Sequence, residues 1–180
     1  MRVLIRSIFV VILTALLGGC LGTIPTNRYE VETKVNKFDK YTNIRESGNF
    51  VHNEALGGMT QLNMSLMTST RTGLPTSSGS LTATYRGEDW IFIPDGPSLK
   101  FLADGEVVTL TSNIAPLRDV SSVSTYTFIS EIIIYDLDRE TALKLANAKT
   151  LEAQLYIIDF PIPKLTQNRW KSFIKTHWPK

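Results

Sequence analysis

The stretch Leu99-Lys-Phe-Leu-Ala-Asp104-Gly105-Glu-Val-Val-Thr-Leu-Thr111 decides the fold class. Asp-Gly is favoured where both central residues of a turn need positive φ, so it joins strands at Leu99–Leu102 and Val107–Thr111 as a hairpin. The same period of two continues towards the N-terminus. Trp90-Ile-Phe-Ile93 is a run of four apolar residues, which predicts a strand covered on both faces. It lies between the turns Arg86-Gly87-Glu88-Asp89 and Asp95-Gly96-Pro97. Leu81 to Tyr85 alternates, Leu62, Met64 and Leu66 alternate with Gln61, Asn63 and Ser65, and Phe50-Val51 predicts a short strand. Further back, Tyr29, Val31, Thr33 and Val35 share one face, with Arg28, Glu30, Glu32 and Lys34 on the other, the pattern of a half-buried strand. Thr68 to Ser80 is rich in Ser, Thr and Gly and contains Pro75, so it predicts a long exposed loop.

Beyond the hairpin, Val123 to Tyr135 is a β-branched and aromatic run. The period then changes. Asp138 is placed to cap a short helix near residues 138–147, with Ala142, Leu143 and Ala146 inward. Leu151 to Ile158 returns to strand, Pro161 and Pro163 interrupt, and Leu165 to Trp178 predicts a terminal amphipathic helix. Short strands joined by tight turns predict a mainly β domain over 28–180, an antiparallel β-sandwich or rolled sheet carrying two late helices.

The first twenty residues carry a different signal. Arg2 and Arg6 precede the ten-residue apolar run Ile8–Leu17, which is followed by Gly18-Gly19 and the chain's single cysteine, Cys20. At 1.5 Å per residue such a run covers about half of a ~30 Å hydrocarbon core, which suits a signal peptide better than a spanning helix. Leu17-Gly18-Gly19-Cys20 resembles the lipobox of bacterial lipoprotein precursors. The resemblance implies cleavage after residue 19, a diacylglycerol thioether on the Cys20 sulfur, and a further acyl chain, such as palmitate, on the new amine. Residues 20–27 would then be a lipidated tether. Two or more chains at ~0.8 kcal/mol per buried CH₂ hold a protein stably at a membrane. Leu21 is not the aspartate associated with inner-membrane retention, so in a Gram-negative owner the resemblance favours the periplasmic face of the outer membrane. A Gram-positive owner would place the domain on the cell surface.

The order Asp89-Trp90-Ile-Phe, Ser98-Leu99-Lys-Phe-Leu-Ala-Asp-Gly105, Glu131-Ile-Ile-Ile-Tyr135 and Lys144-Leu-Ala-Asn-Ala148 looks like a group of small secreted bacterial proteins. That resemblance spans roughly residues 38–160 and implies an architecture without implying catalytic or binding residues.

The chain has 19 Lys+Arg and 17 Asp+Glu. Removing Arg2 and Arg6 leaves 17 of each, a formal charge of zero, so nothing resembles the basic surface of a nucleic-acid binder. Residues 160–180 contain Lys164, Arg169, Lys171, Lys175 and Lys180 and no acid. On the terminal helix Arg169, Trp170, Lys171, Lys175 and Trp178 are therefore candidates for contact with anionic lipid or a partner. The alternative is that the aromatic stripe covers the sheet and the lysines form a solvated rim.

Candidate chemistry is sparse. Asp136, Asp138 and Glu140 open like a calcium loop, but Thr141 and Asn147 stand where it needs glycine and glutamate, and a helix cap explains the acids without a metal. His52 and His177 fall in no metal or triad motif, and neither a Gly-x-Ser-x-Gly elbow nor a phosphate-binding glycine loop is present. No cofactor is implied. The reading expected from sequence is a lipid-anchored envelope protein whose β domain binds or builds rather than catalyses. A small envelope hydrolase using His52 is the alternative, and a cation-binding domain a weaker one.

Overall fold

The structure is a computed structural model that describes residues 28–51, 61–72, 77–123 and 126–178. The strands are β1 (Glu30–Asn36), β2 (Tyr41–Ser47), β3 (Phe50–Val51), β4 (Gln61–Arg71), β5 (Ser77–Gly87), β6 (Gly96–Ala103), β7 (Glu106–Ser112), β8 (Leu117–Val123), β9 (Tyr126–Asp136), β10 (Leu151–Leu155) and β11 (Ile158–Pro161). Two helices, α1 (Arg139–Asn147) and α2 (Lys164–His177), follow late in the chain. β1, β2, β4, β5, β9 and β8 form one antiparallel sheet in that order, with β3 added beside β4. β11, β10, β6 and β7 form the second. The predicted mainly β sandwich with two short helices is the observed architecture.

Alternation places the core. Leu62, Met64 and Leu66 of β4, Leu81 and Ala83 of β5, and Ile133 and Tyr135 of β9 point towards Leu99, Phe101, Leu151, Ala153 and Phe160 of the smaller sheet, all buried. Inside the core the Ser98 hydroxyl hydrogen-bonds the Tyr135 hydroxyl at 2.8 Å, and burial pushes the Tyr135 phenol up to about 12. Helix α2 reaches both sheets. Trp170 meets the Phe101 ring edge-on at 6.3 Å, the His177 carbonyl accepts from Thr68 of β4, and Gln167 donates to the carbonyls of Leu145 and Ala148 at the end of α1.

The turn chemistry was legible. Asp104 and Gly105 both have positive φ, 51° and 87°. The Asp104 carboxylate accepts from the backbone N–H groups of Lys149 and Thr150, which hold it below its usual range and tie the hairpin to the entry of β10. Asp138 is the N-cap of α1, accepting from the Thr141 N–H at 2.7 Å. The inward residues of α1 are Ala142, Leu145 and Ala146, with Leu143 only partly covered.

Three expectations change. The two ends of Thr68 to Ser80 are strand instead of loop: β4 runs to Arg71 and β5 starts at Ser77, with Thr68 opposite Gly79 and Thr70 opposite Ser77, while residues 73–76 lie outside the described residues. Threonine suits a pleated surface, and the partner strand overrides the local loop composition. Trp90-Ile-Phe-Ile93 forms no strand; its backbone donors turn to a carboxylate described below. The β-branched run Val123 to Tyr135 is strand where the structure describes it: Val123 ends β8, and Tyr126 to Tyr135 belong to β9, which pairs with β8. β1 is a strand as expected, yet all seven of its residues are exposed instead of half-buried.

Gly79 shows why the loop reading fails. A Cβ built there would lie 1.9 Å from Cζ2 of the buried Trp178, so only glycine admits the indole. Gly79→Val should lower stability by about 1–3 kcal/mol, the usual range for overpacking. A urea midpoint that falls together with stronger acrylamide quenching of tryptophan fluorescence would show it, and an unchanged midpoint would refute it.

Candidate functional site

Two acids are fully buried, one on β9 and one on β2. Glu131 lies between Ile129 and Ile133 on β9 and is 0% exposed. Its Oε1 accepts from the N–H groups of Ile91 and Phe92 at 2.7 and 2.8 Å, and its Oε2 from that of Ile93 at 2.8 Å. Three successive backbone donors on one anion form a nest. The left-handed φ of Phe92, 54°, helps to aim them. Arg118, opposite Glu131 on β8, approaches Oε2 at 3.4 Å and donates to the Ile93 carbonyl at 3.0 Å. The segment between β5 and β6, which carries the chain from one sheet to the other, is thus fastened to β9.

Glu46, at the end of β2, is also 0% exposed. The Tyr29 hydroxyl (3.1 Å), the Asn49 amide (2.8 Å) and the Leu66 N–H (3.3 Å) all donate to it. Burial is the dominant effect and pushes its carboxyl up to about 7, with the hydrogen bonds opposing. The same burial, with Glu46 alongside, raises the Tyr29 phenol. Arg169 of α2 stacks over the Tyr29 ring at 4.7 Å and donates to the Gly48 carbonyl at 2.9 Å. Gly48 is required here: φ is 85°, and a Cβ would sit 2.5 Å from the Arg28 carbonyl oxygen. Glu46 lines neither of the surface cavities described below, and its hydrogen-bond partners are all internal. The cluster joins the first described residues to the C-terminal helix.

The surfaces able to receive a ligand lie elsewhere. A groove of about 630 Å³ crosses the outer face of the smaller sheet, where Leu102 and Val107 stand among Lys100, Glu152, Gln154 and Asp159. A smaller basin of about 170 Å³ lies over β4 on the larger sheet, bounded by Arg45, Arg86 and Phe50 and floored by Asn63, Ser65 and Thr84. Guanidinium, amide and hydroxyl groups there suit a ligand rich in oxygen acceptors.

The sequence-derived candidates fall as follows. Cys20 and His52 lie outside the described residues, so the hydrolase alternative gains no geometry. Arg169 turns inward to the Tyr29 cluster. Trp170 and Trp178 are buried, while Lys171 and Lys175 are exposed, so the aromatic stripe covers the sheets and the lysines form the rim. A membrane contact through the two indoles would require α2 to leave its seat. Asp138 is occupied by its capping bonds and Asp136 accepts from Asn113; among the described residues no group of three metal-ligating side chains occurs. No helix among those residues is long and apolar enough to cross a membrane. No family model, curated protein or solved structure matches the chain.

Two outcomes follow for the buried acids. Glu131→Ala should destabilise the domain by about 3–5 kcal/mol, because it strands three donors at once. Glu131→Gln should recover less than half of that loss, since its NH₂ would face the Ile93 N–H or Arg118. Chemical denaturation measures both, and a Gln variant as stable as wild type would contradict the nest. The Glu46 carboxyl titrates near 7 in the fold against 4.5 ordinarily, so its contribution is complete at acid pH and lost as pH rises through 7. Between pH 5 and 8 stability should fall by up to about 3 kcal/mol, and Glu46→Gln should flatten that decline. Melting temperatures of both chains across this range provide the check.

Proposed function

We propose that this chain is a lipoprotein of the bacterial cell envelope, held at a membrane by acyl chains on Cys20 and acting by binding, without catalysis. The observation that carries the reading is the order of basic residues, apolar run, Gly18-Gly19 and lone cysteine at the N-terminus. The fold is compatible with a load applied from that side. Tyr29, nine positions after Cys20, is held by the Glu46 carboxylate beneath and the Arg169 guanidinium above, so a pull on the tether meets hydrogen bonds and a stacked ring at once. In a Gram-negative owner we place the domain on the periplasmic face of the outer membrane, on the strength of Leu21.

The binding part of the proposal rests on the two concave sheet faces. Their lining groups hold and orient; the strongly shifted groups Glu46, Tyr29 and Tyr135 are engaged with internal partners and line neither surface. An envelope protein or an oxygen-rich envelope component is the class of partner these linings fit.

Mass spectrometry of the chain extracted from membranes tests the anchor. The expected product begins at Cys20 and carries the mass of a diacylglycerol thioether, and Cys20→Ser should abolish both the processing and the added mass. A chain still bearing residues 1–19, or a bare Cys20 thiol, would overturn the proposal.

A further inference from the structure

β1 ends the larger sheet and leaves one of its edges without a strand partner among the described residues. Such an edge presents a row of backbone donors and acceptors to whatever strand matches it. All seven residues are exposed, including Val31 and Val35, the latter at 62%, on the face that looks towards the core side of the sheet. On the opposite face stand Glu30, Glu32 and Lys34, with Glu32 and Lys34 3.4 Å apart at the surface.

Charges on an edge strand ordinarily discourage pairing, but the order of signs here suits one particular partner. Glu30-Val-Glu-Thr-Lys-Val-Asn36 is nearly self-complementary when read against itself antiparallel about Thr33. Val31 then faces Val35 of a second copy, Glu32 faces its Lys34, and Thr33 faces Thr33. A shift of two residues one way sets Glu32 against Glu32, and the other way Lys34 against Lys34. A shift of one turns the second sheet over and brings Val31 against Lys34. Directly opposite side chains on one face lie ~4.5–5.5 Å apart, where opposite charges and paired valines stabilise and like charges repel.

We infer that β1 is a self-association edge: two copies of this chain pair β1 to β1, antiparallel about Thr33, and continue the larger sheet across a two-fold axis. The contact is isologous, as closed two-fold dimers require, and covers the valines that the single chain leaves exposed. It also carries Phe38, 97% exposed at the end of the β1–β2 hairpin, towards Arg28 of the second copy. One strand edge is a small interface, so the dimer is weak and reversible. The pairing does not depend on the lipid anchor.

Mild oxidation of the full chain in detergent, with micelles in excess over protein, tests the register. Opposed residues of an antiparallel pair have Cα atoms about 4.5 or 5.5 Å apart, both within disulfide reach. Thr33→Cys should form a covalent dimer at least tenfold faster than Val31→Cys, whereas a mixture of Val31→Cys and Val35→Cys chains should cross-link readily. The parent chain serves as the blank for Cys20, and peptide mapping locates each bond. Adding Glu32→Lys to Thr33→Cys should slow the reaction at least tenfold, and the swap Glu32→Lys with Lys34→Glu should restore it. These positions are exposed in the single chain, so the substitutions leave its core intact. Equal rates for Thr33→Cys and Val31→Cys, or a rate indifferent to the charge reversal, would overturn the inference.

Discussion

The domain hangs on one anion. Two sheets packed face to face need a chain segment to pass between them, and that segment has backbone donors that neither ladder can use. Glu131 supplies the missing acceptor. Its carboxylate collects three consecutive N–H groups from the crossing segment, with Arg118 beside one oxygen. An ionised carboxylate makes stronger hydrogen bonds than a neutral acceptor, and satisfied donors offset the cost of its burial. Without this contact the sheets would still have complementary apolar faces, but the β5–β6 crossing between them would lose the acceptor for its three N–H groups. The irregular shape of residues 90–95 is therefore a consequence of β9 and not of local preference.

Glu46 solves a similar problem at the far edge with a different balance. There the donors are a phenol, an amide and a single backbone N–H, and the nearest cation stacks on a ring beside the carboxyl. Desolvation dominates there and raises the carboxyl of Glu46 to about 7 against the opposing hydrogen bonds. Both acids face inward and hold parts of the fold together. The lipid-anchored binding domain we propose divides its work accordingly: one end for attachment, the sheet faces for contact.

Sequence was informative wherever the cause was local. Asp104-Gly105 needs positive φ at both positions and has it; Asp138 caps a helix because its side chain reaches the third N–H along. It misled wherever the deciding partner was remote. Residues 68–71 and 77–80 of the Ser/Thr-rich stretch are strand because β4 and β5 pair, and Gly79 is a seat for an indole ninety-nine positions later. Leu117 to Val123 carries Arg, Asp and two Ser, so it gives little sign of the strand it forms beside β9. The acids themselves left a trace: a charged residue in the inward register of Ile129-x-Glu131-x-Ile133 breaks an apolar alternation. The basin over β4 left none, because β2, β3, β4 and β5 each contribute side chains to it that no linear pattern connects.

The position of α2 in the chain has a consequence for biogenesis. Trp170, Phe173, Ile174 and Trp178 come after every strand, yet they lie against surfaces laid down a hundred residues earlier. A ribosome reading from the N-terminus therefore produces β4 and β5 well before the helix that covers them. During that interval the inner flank of β4 and β5 stays wet and adhesive. Trp170, Phe173, Ile174 and Trp178 therefore act as a stopper for that flank rather than as an appendage.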